Sequence, residues 1–238
     1  MFARGGPTFR ELMQQAFAST QRGYDLLAPK FDKTPFRTPD AIVETMRDLL
    51  GAPGSVGSAL DVCCGTGAAL RQLRPLARER VVGIDFSEGM LEEARQNLAT
   101  APGDARVELV HGDALAMPFE NEFDVATCVG ALGHIEPKNE DRFVAGISRA
   151  LRPGGRFAFA TTRRPSPREL AFWLSHGFNA AMRVRNAIIK PEFVMYYLTF
   201  VWPEVQELLA RHGLRAEAFE GRCPPPFQNA IIVVATKR

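Results

Sequence analysis

Short apolar runs alternate with amphipathic segments along most of this chain, and the two patterns predict strands and helices in turn. Strands are predicted at 58–62, 80–84, 106–110, 123–128 and 156–162. The helices between them are predicted at 67–76, 88–99 and about 139–150. Such alternation is typical of a doubly wound α/β fold, in which helices cover both faces of a parallel sheet.

The two ends of the chain carry different patterns. A capping box from Thr8 to Glu11 predicts a helix that continues to about Arg22. A second helix is predicted with Pro39 at its first position and Gly51 at its end. After the core, the pattern predicts a helix at 202–212 and strands at 214–219 and 229–236.

These boundaries predict a single domain over residues 1–238. Its expected parts are N-terminal helices and lid at 1–57, a core of alternating strands and helices at 58–162, an insert at 163–201, and a C-terminal helix with a strand hairpin at 202–238. A tight turn from Arg152 to Gly155 is expected just before the fifth strand. The insert is rich in apolar and aromatic side chains, so we expect it to form a helical lid.

Composition narrows the class of protein. Apolar residues make up 46% of the chain, which is ample for a sizeable core. No apolar run approaches the length of a membrane span, and residues 1–7 lack the apolar run of a secretory signal, so we expect a cytoplasmic protein. The cysteines show no metal-ligand spacing, and we expect reduced thiols and no metal site.

The net charge of +2 is unevenly distributed. Residues 1–150 carry −5 and residues 151–238 carry +7. An acidic substrate, an anionic membrane surface or a nucleic acid would each attract the basic part. A solvated face is the simpler interpretation, because the basic residues form no dense run.

The most specific chemistry lies where the first predicted strand ends. Asp61 closes that strand and is followed by Gly65, Gly67 and a helix, so the backbone can approach a ligand closely and offer it free N–H groups. Asp85 closes the second strand, where a carboxylate is placed to bind two ribose hydroxyls, although it could instead cap the next helix. These features predict a cofactor that contains a nucleoside.

The turn also discriminates between cofactors. A dinucleotide site has a third glycine where Leu70 stands, and Asp61 would repel a pyrophosphate but suits a cationic amino group. With Cys63 in place of the first glycine, Asp61, Gly65 and Gly67 resemble the first motif of the class I S-adenosylmethionine-dependent methyltransferases. The resemblance covers residues 20–162 and 202–238. It implies S-adenosyl-L-methionine as cofactor and a Rossmann-like sheet of seven strands, mostly parallel, with an antiparallel last strand.

The same resemblance assigns roles to residues at the strand ends. It implies that Asp61 binds the amino group, that Asp85 binds the ribose, and that Asp113 and the Ala114 amide hold the adenine edge. Phe86 and Met90 are expected beside the adenine or else in the core. The full set of predicted cofactor-binding residues is Tyr24, Asp61, Cys63, Gly65, Thr66, Gly67, Asp85, Phe86, Met90, Asp113, Ala114, Cys128 and Val129.

Two further positions bear on the reaction itself. His134 lies six residues beyond the fourth strand and is the candidate general base for a phenol or enol, the alternative being a histidine that packs or caps the next helix. The segment from Tyr24 to Asp32 resembles one that small-molecule methyltransferases fold over the cofactor. Tyr24 is therefore either a lid residue or a buried tyrosine at a helix end. Asp124 and the turn at Arg152 are expected to be structural.

The insert should determine the methyl acceptor. Leu174, Phe178, Ala181 and Met182 are predicted on one apolar helix face, which favours an apolar, aromatic or prenylated acceptor. The basic residues of the insert would bind an acceptor carboxylate or an anionic membrane surface. The alternative is that the insert forms a dimer interface or ordinary core. The basic residues are Arg163, Arg164, Arg168, Arg183, Arg185 and Lys190. Ring-methylating enzymes of quinone biosynthesis share the Cys-Gly-Thr-Gly turn.

The sequence therefore predicts a methyltransferase that acts by in-line transfer on a small, largely apolar acceptor. Two alternatives are a non-catalytic module that binds the cofactor or a protein partner, and a nicotinamide-dependent oxidoreductase, which Leu70 and Asp61 disfavour. Nucleic acid is not expected as a partner, because no Asn-Pro-Pro-Tyr type motif follows the fourth strand. Peripheral membrane contact and homodimer formation remain open.

Overall fold

A computed structural model describes residues 5–238. Residues 1–4 lie outside the described part. They include the start of the predicted N-terminal region and most of the segment 1–7, for which no secretory signal is predicted. The strands are β1 Val56–Val62, β2 Ala77–Asp85, β3 Arg106–His111, β4 Phe123–Cys128, β5 Leu151–Thr161, β6 Leu214–Phe219 and β7 Ile231–Lys237.

These strands form one sheet in the order β3-β2-β1-β4-β5-β7-β6. The first five in this order are joined by parallel pairings, whereas β7 runs antiparallel to both β5 and β6. The predicted mostly parallel sheet with an antiparallel last strand is confirmed. From β1 the chain adds β2 and β3 on one side of the sheet, and β4 and β5 then extend the other side. The ends of β1 and β4, where the order of the strands switches, are the usual place for a ligand in a doubly wound fold.

Helices cover both faces of the sheet. They are α1 Phe9–Phe17, α2 Thr20–Leu27, α3 Asp40–Leu50, α4 Ala68–Leu76, α5 Glu88–Leu98, α6 Glu140–Ala150, α7 Leu170–Ile188 and α8 Val205–Arg211. Side chains of α6 and α8 pack in one core, and side chains of α3, α4 and α5 pack in the other. Because β1 lies between the two cores, every one of its residues is buried, including the polar Ser58 and Asp61.

The N-terminal region differs from its prediction. The helix predicted to run from Phe9 to about Arg22 is two helices, because the Ser19 hydroxyl accepts the N–H of Arg22 and starts a new helix. Pro39 precedes the first residue of α3 instead of occupying it, and Gly51 ends that helix with φ at +135° as expected.

Two boundaries near β5 and α8 also differ. The stretch from Arg152 to Gly155 is a bulge inside β5, because Leu151 already pairs with Phe123 before the strand resumes at Arg156. Helix α8 begins at Val205, since Trp202 remains extended and forms a bridge with Arg163. Within residues 5–238, no helix is both long and apolar enough to cross a bilayer.

Asp124 ties the amino ends of β1 and β4 together. Its Oδ2 accepts the N–H groups of Gly57 at 2.8 Å and Ser58 at 2.9 Å. Its Oδ1 lies 3.2 Å from an Arg152 guanidinium nitrogen. Both residues therefore have the structural role that the sequence suggested, and they lie at the edge of the sheet opposite to the carboxyl strand ends.

We expect Asp124→Ala to lower the free energy of unfolding by about 1–3 kcal/mol, because two backbone N–H groups lose their acceptor. Urea denaturation followed by circular dichroism measures the change. The exposed Asp104 makes no hydrogen bond or ion pair within residues 5–238, so Asp104→Ala is the matched control. Equal stabilities of the two variants would contradict this role for Asp124.

Candidate active site

A cavity of about 470 Å³ lies at the carboxyl ends of β1, β2 and β4, beneath the N-terminal helices and α7. Its volume falls within the range of roughly 300–1,000 Å³ that is typical of small-molecule sites. Of the residues predicted for the site, the cavity brings together Tyr24, Asp61, Cys63, Gly65, Thr66, Asp85, Phe86, Met90, Val129 and His134.

Four predicted residues lie outside the cavity lining. Cys128 is fully buried in the core. Gly67 begins α4 with φ at +86°, and a Cβ there would lie 3.3 Å from Leu98, so this glycine permits close packing of α4 on α5. Asp113 and Ala114 form a short turn beyond β3, where the Asp113 carboxylate accepts the N–H of Leu115.

The carboxylate of Asp85 fixes the glycine-rich turn to the end of β2. Its Oδ2 accepts the Gly65 N–H and its Oδ1 accepts the Ser87 N–H, both at 2.9 Å. Burial raises the pKa of Asp85, although these backbone hydrogen bonds oppose the shift. Helix α5 is capped separately, by the Ser87 hydroxyl. Asp85 therefore supports the glycine-rich turn and faces the cavity. Its position is not explained by capping of α5 alone.

Asp61 is the second buried acid on the cavity wall. Only 3% of its surface is exposed, and Thr127 Oγ1 donates a hydrogen bond of 2.7 Å to its Oδ1. Burial raises its pKa to about 7, and the nearby charge of Asp85 contributes, while the Thr127 hydrogen bond opposes the rise. Within residues 5–238, neither acid forms an ion pair, so both would be stabilised by a cationic or hydroxyl-bearing ligand.

The segment from α2 to Asp32 lies over these strand ends, as the resemblance implied. Asp25 accepts hydrogen bonds from the Ser87 hydroxyl at 2.6 Å and the Gly89 N–H at 3.1 Å. Asp32 accepts one from the Thr66 hydroxyl at 2.7 Å. Asp25 and Asp32 therefore hold the N-terminal segment against the cofactor-side loops. The sequence alone assigned them no individual role, since an acid in a polar segment carries no local signal for such a contact.

Tyr24 and His134 form a hydrogen-bonded pair in the cavity wall. The Tyr24 hydroxyl lies 2.6 Å from His134 Nε2, and His134 Nδ1 bonds the Val194 carbonyl oxygen. Because a carbonyl only accepts, Nδ1 carries the hydrogen and Nε2 accepts the Tyr24 O–H. Burial lowers the pKa of His134, partly opposed by the Val194 carbonyl, and burial with the Asp85 charge raises the pKa of Tyr24. Both side chains are thus neutral near pH 7.

Residues 189–201, which we call the strap, supply the Val194 carbonyl and part of the cavity wall. Two buried asparagines of α7 hold the strap. Asn186 bonds both the N–H and the carbonyl of Phe193, and Asn179 bonds both backbone groups of Tyr197. The strap in turn places Phe193 and Met195 in the cavity lining. The asparagines were not found from the sequence, where their signal was two polar residues seven apart on an apolar helix.

The apolar face predicted for the insert is only partly correct. Phe178 and Met182 line the cavity, whereas Leu174 and Ala181 are exposed on another side of α7. Helix α1 contributes Leu12, Gln15 and Ala16 to the cavity lining. These residues were not selected from the sequence, where an inward leucine on an amphipathic helix was their only signal.

Several basic residues of the insert have partners within the chain. Arg185 donates to the carbonyls of Ala16 and Ala18 at the end of α1. Three others form ion pairs, Arg163 with Glu220, Arg164 with Glu204 and Lys190 with Glu192. These contacts reduce the case for an acceptor carboxylate bound by the insert arginines.

Comparison with known proteins agrees with this geometry. Residues 59–155 match the family described as a methyltransferase domain. A demethylmenaquinone methyltransferase of Staphylococcus aureus is 41% identical over 128 residues, which are 51% of this chain and 48% of that protein. The enzyme of the same name from Shouchella clausii is 35% identical over 126 residues, 52% of each chain. The chain thus spans about half the length of these curated relatives.

A solved structure extends the likeness to nearly the whole chain. Magnesium protoporphyrin IX methyltransferase from Synechocystis, with bound SAH, aligns over 97% of this chain and 94% of its own, with a TM-score of 0.59. The sequence identity is 15%, so this comparison shows a shared fold alone.

We expect Asn186→Ala to lower the free energy of unfolding by about 1–3 kcal/mol and to release the strap, because both backbone groups of Phe193 lose their partner. Limited proteolysis and thermal melting measure the two effects. Asn229→Ala is the matched control, since it makes the same substitution at an exposed position outside α7 and the strap. If both variants resist proteolysis like the parent chain, Asn186 does not hold the strap.

Proposed function

We propose that this chain, in which residues 59–155 are a methyltransferase domain of the class I S-adenosylmethionine-dependent type, methylates a small apolar acceptor. The observation that carries the proposal is the pair of buried acids, Asp61 and Asp85, which face one cavity and form no ion pair with any residue of 5–238. The opposite wall of that cavity is apolar, with Phe178, Met182 and Phe193.

The residues at the strand ends suit the cofactor. Asp61 would hold the ammonium group, Asp85 would accept the ribose hydroxyls, and the turn at Gly65 leaves open space where a side chain would otherwise project. When bound, S-adenosylmethionine supplies a methyl group activated by a positively charged sulfur. The predicted contacts of Asp113 and Ala114 with adenine stay predictions, because both residues lie outside the cavity lining.

The acceptor side of the cavity favours positioning and the exclusion of water. Leu12 of α1, Phe178 and Met182 of α7, and Phe193 and Met195 of the strap form an apolar enclosure. Holding two reactants in line within such an enclosure supplies much of the acceleration of a displacement reaction.

The Tyr24–His134 pair supplies a route for a proton. Because His134 Nε2 already accepts the Tyr24 O–H, the histidine is not free to act alone as the predicted base. An acceptor hydroxyl can instead donate to Tyr24 Oη while the Tyr24 proton passes to His134 Nε2. The Val194 carbonyl stabilises the imidazolium that forms, through its bond to Nδ1. The pair therefore removes a proton from a phenol or enol as the methyl group arrives.

We infer an aromatic acceptor that bears an ionisable hydroxyl and an apolar substituent. The apolar enclosure suits the ring and its substituent, and the proton route suits the hydroxyl. The names of the two curated relatives, which are demethylmenaquinone methyltransferases, support a quinone-like ring. The acidity inferred for the acceptor then lies in its hydroxyl and not in a carboxylate, because Arg185, the insert arginine in the cavity lining, already donates to oxygens of the chain.

We expect calorimetry to detect saturable binding of S-adenosylhomocysteine that weakens as the pH falls below about 7, the pKa of Asp61 in the free protein. The ligand ammonium needs the ionised carboxylate, so the affinity falls by up to about tenfold per pH unit below that pKa. Asp61→Asn should bind weakly and lose this pH dependence, which makes it the matched control. A failure to bind at millimolar concentration, or tight binding of NADH instead, would contradict the proposal.

We expect Tyr24→Phe to lower kcat for an alkyl-substituted naphthoquinol acceptor by about 10²-fold, because the proton route loses the Tyr24 hydroxyl. Formation of S-adenosylhomocysteine measures the rate, and calorimetry should show nearly unchanged affinity for that product. Tyr197→Phe is the control, since Tyr197 is 46% exposed and outside the cavity lining. An unchanged kcat in Tyr24→Phe would exclude the proton route while leaving cofactor binding intact.

A further inference from the structure

Helix α1 presents an apolar stripe to solvent. Phe9, Met13 and Phe17 recur every four residues on its outer side and are 79%, 40% and 55% exposed. The inner side of the same helix contributes Leu12 to the cavity. The exposed stripe is therefore not needed to enclose the cavity, and exposing so much apolar surface is costly unless something covers it.

Helix α7 carries a longer stripe of the same kind. Its outer apolar residues are Leu170, Trp173, Leu174, Val184 and Ile188, which are between 59% and 77% exposed. The small residues Gly177 and Ala181 fill the gap along the same line, so the stripe runs the length of the helix, about 28 Å. The indole N–H of Trp173 bonds the Pro167 carbonyl, so the exposed ring carries no unsatisfied donor.

The two stripes, which together we call the apolar rim, belong to helices that meet beside the cavity. Arg185 of α7 donates to the carbonyls of Ala16 and Ala18 at the end of α1, next to Phe17. Phe178 and Met182, on the adjoining side of α7, line the cavity. The apolar rim thus lies on the outer sides of two helices that enclose the proposed acceptor pocket.

The charge around the apolar rim indicates what covers it. Residues 163–191 contain six basic side chains and one acidic side chain, and α7 itself contains no acid. Three of the six pair with glutamates, and Arg185 donates to backbone carbonyls of α1, which leaves Arg168 and Arg183. Within residues 5–238, Arg168 and Arg183 form no ion pair, although Arg183 lies over the Tyr196 ring. An apolar helix face with a tryptophan and flanking arginines is the composition of a helix that lies in the interface of an anionic bilayer.

We infer that the apolar rim docks the protein on a membrane surface rich in anionic lipid, so that an acceptor with an apolar tail enters the cavity from the bilayer. The inference rests on the proposed function for its acceptor, but the docking itself rests on the exposed stripes and their charge. A second copy of the chain is the competing occupant. A second copy would block access to the cavity from the apolar rim and bring the basic residues of the two copies together.

Co-sedimentation with lipid vesicles tests the docking. The full chain should sediment with vesicles of phosphatidylcholine that contain about one-third phosphatidylglycerol, and much less with phosphatidylcholine alone. Trp173→Glu combined with Leu174→Glu should reduce partitioning onto the anionic vesicles by at least about tenfold. Gln206→Glu combined with Ala210→Glu makes the same charge change on exposed positions of α8 and should partition like the parent chain. Ile188→Glu, at the other end of α7, should repeat the loss.

Calorimetry with S-adenosylhomocysteine on the same samples separates the two claims. A parent chain that binds this ligand but stays in solution with both kinds of vesicle overturns the docking and leaves the proposed function standing. A chain that sediments but binds no S-adenosylhomocysteine overturns the proposed function. If light scattering without vesicles shows a dimer that the Trp173 and Leu174 substitutions dissociate, the apolar rim is a contact between copies and the membrane inference is wrong.

Discussion

Two acids buried at the ends of neighbouring parallel strands, neither of them paired with a basic side chain of residues 5–238, constrain the rest of this site. Burial disfavours the charged form of a carboxyl, and the raised pKa of Asp61, to about 7, expresses that cost. Thr127 and the backbone N–H groups of Gly65 and Ser87 only partly offset it. A ligand that brings a positive charge and hydroxyl groups would offset the free-energy cost of burying both acids. This accounts for the proposed cofactor.

The remaining parts of the cavity come from distant segments that meet above the strands. The N-terminal segment supplies Tyr24, the loop after β4 supplies His134, and the strap supplies the Val194 carbonyl, so one chain of hydrogen bonds joins all three. Because these hydrogen bonds link the strap to the cavity wall, the ordering of the strap is coupled to the orientation of His134. The apolar rim lies on the outer sides of the helices that carry the same enclosure. Binding, proton transfer and delivery of the acceptor therefore depend on one set of covering elements.

The sequence predicted the sheet well because β1, β4 and the second half of β2 are buried on both faces. Burial on both faces produces mainly apolar runs that can be recognised from the sequence alone. It predicted Asp61 and Asp85 because parallel strands bring their carboxyl ends together. It could not predict the Tyr24–His134 pair, whose members are 110 residues apart and whose contact depends on how α2 turns at Ser19. Nor could it distinguish the cavity side of α7 from its exposed side, since both are apolar.

The most direct measurement of the central claim is a titration of the Asp61 carboxyl carbon by NMR, in the free protein and with S-adenosylhomocysteine bound. We predict a pKa near 7 in the free protein and a marked fall when the ligand ammonium is present. A pKa that already lies in the ordinary range of an aspartate, or one that does not move when the ligand binds, would contradict the role given to this acid.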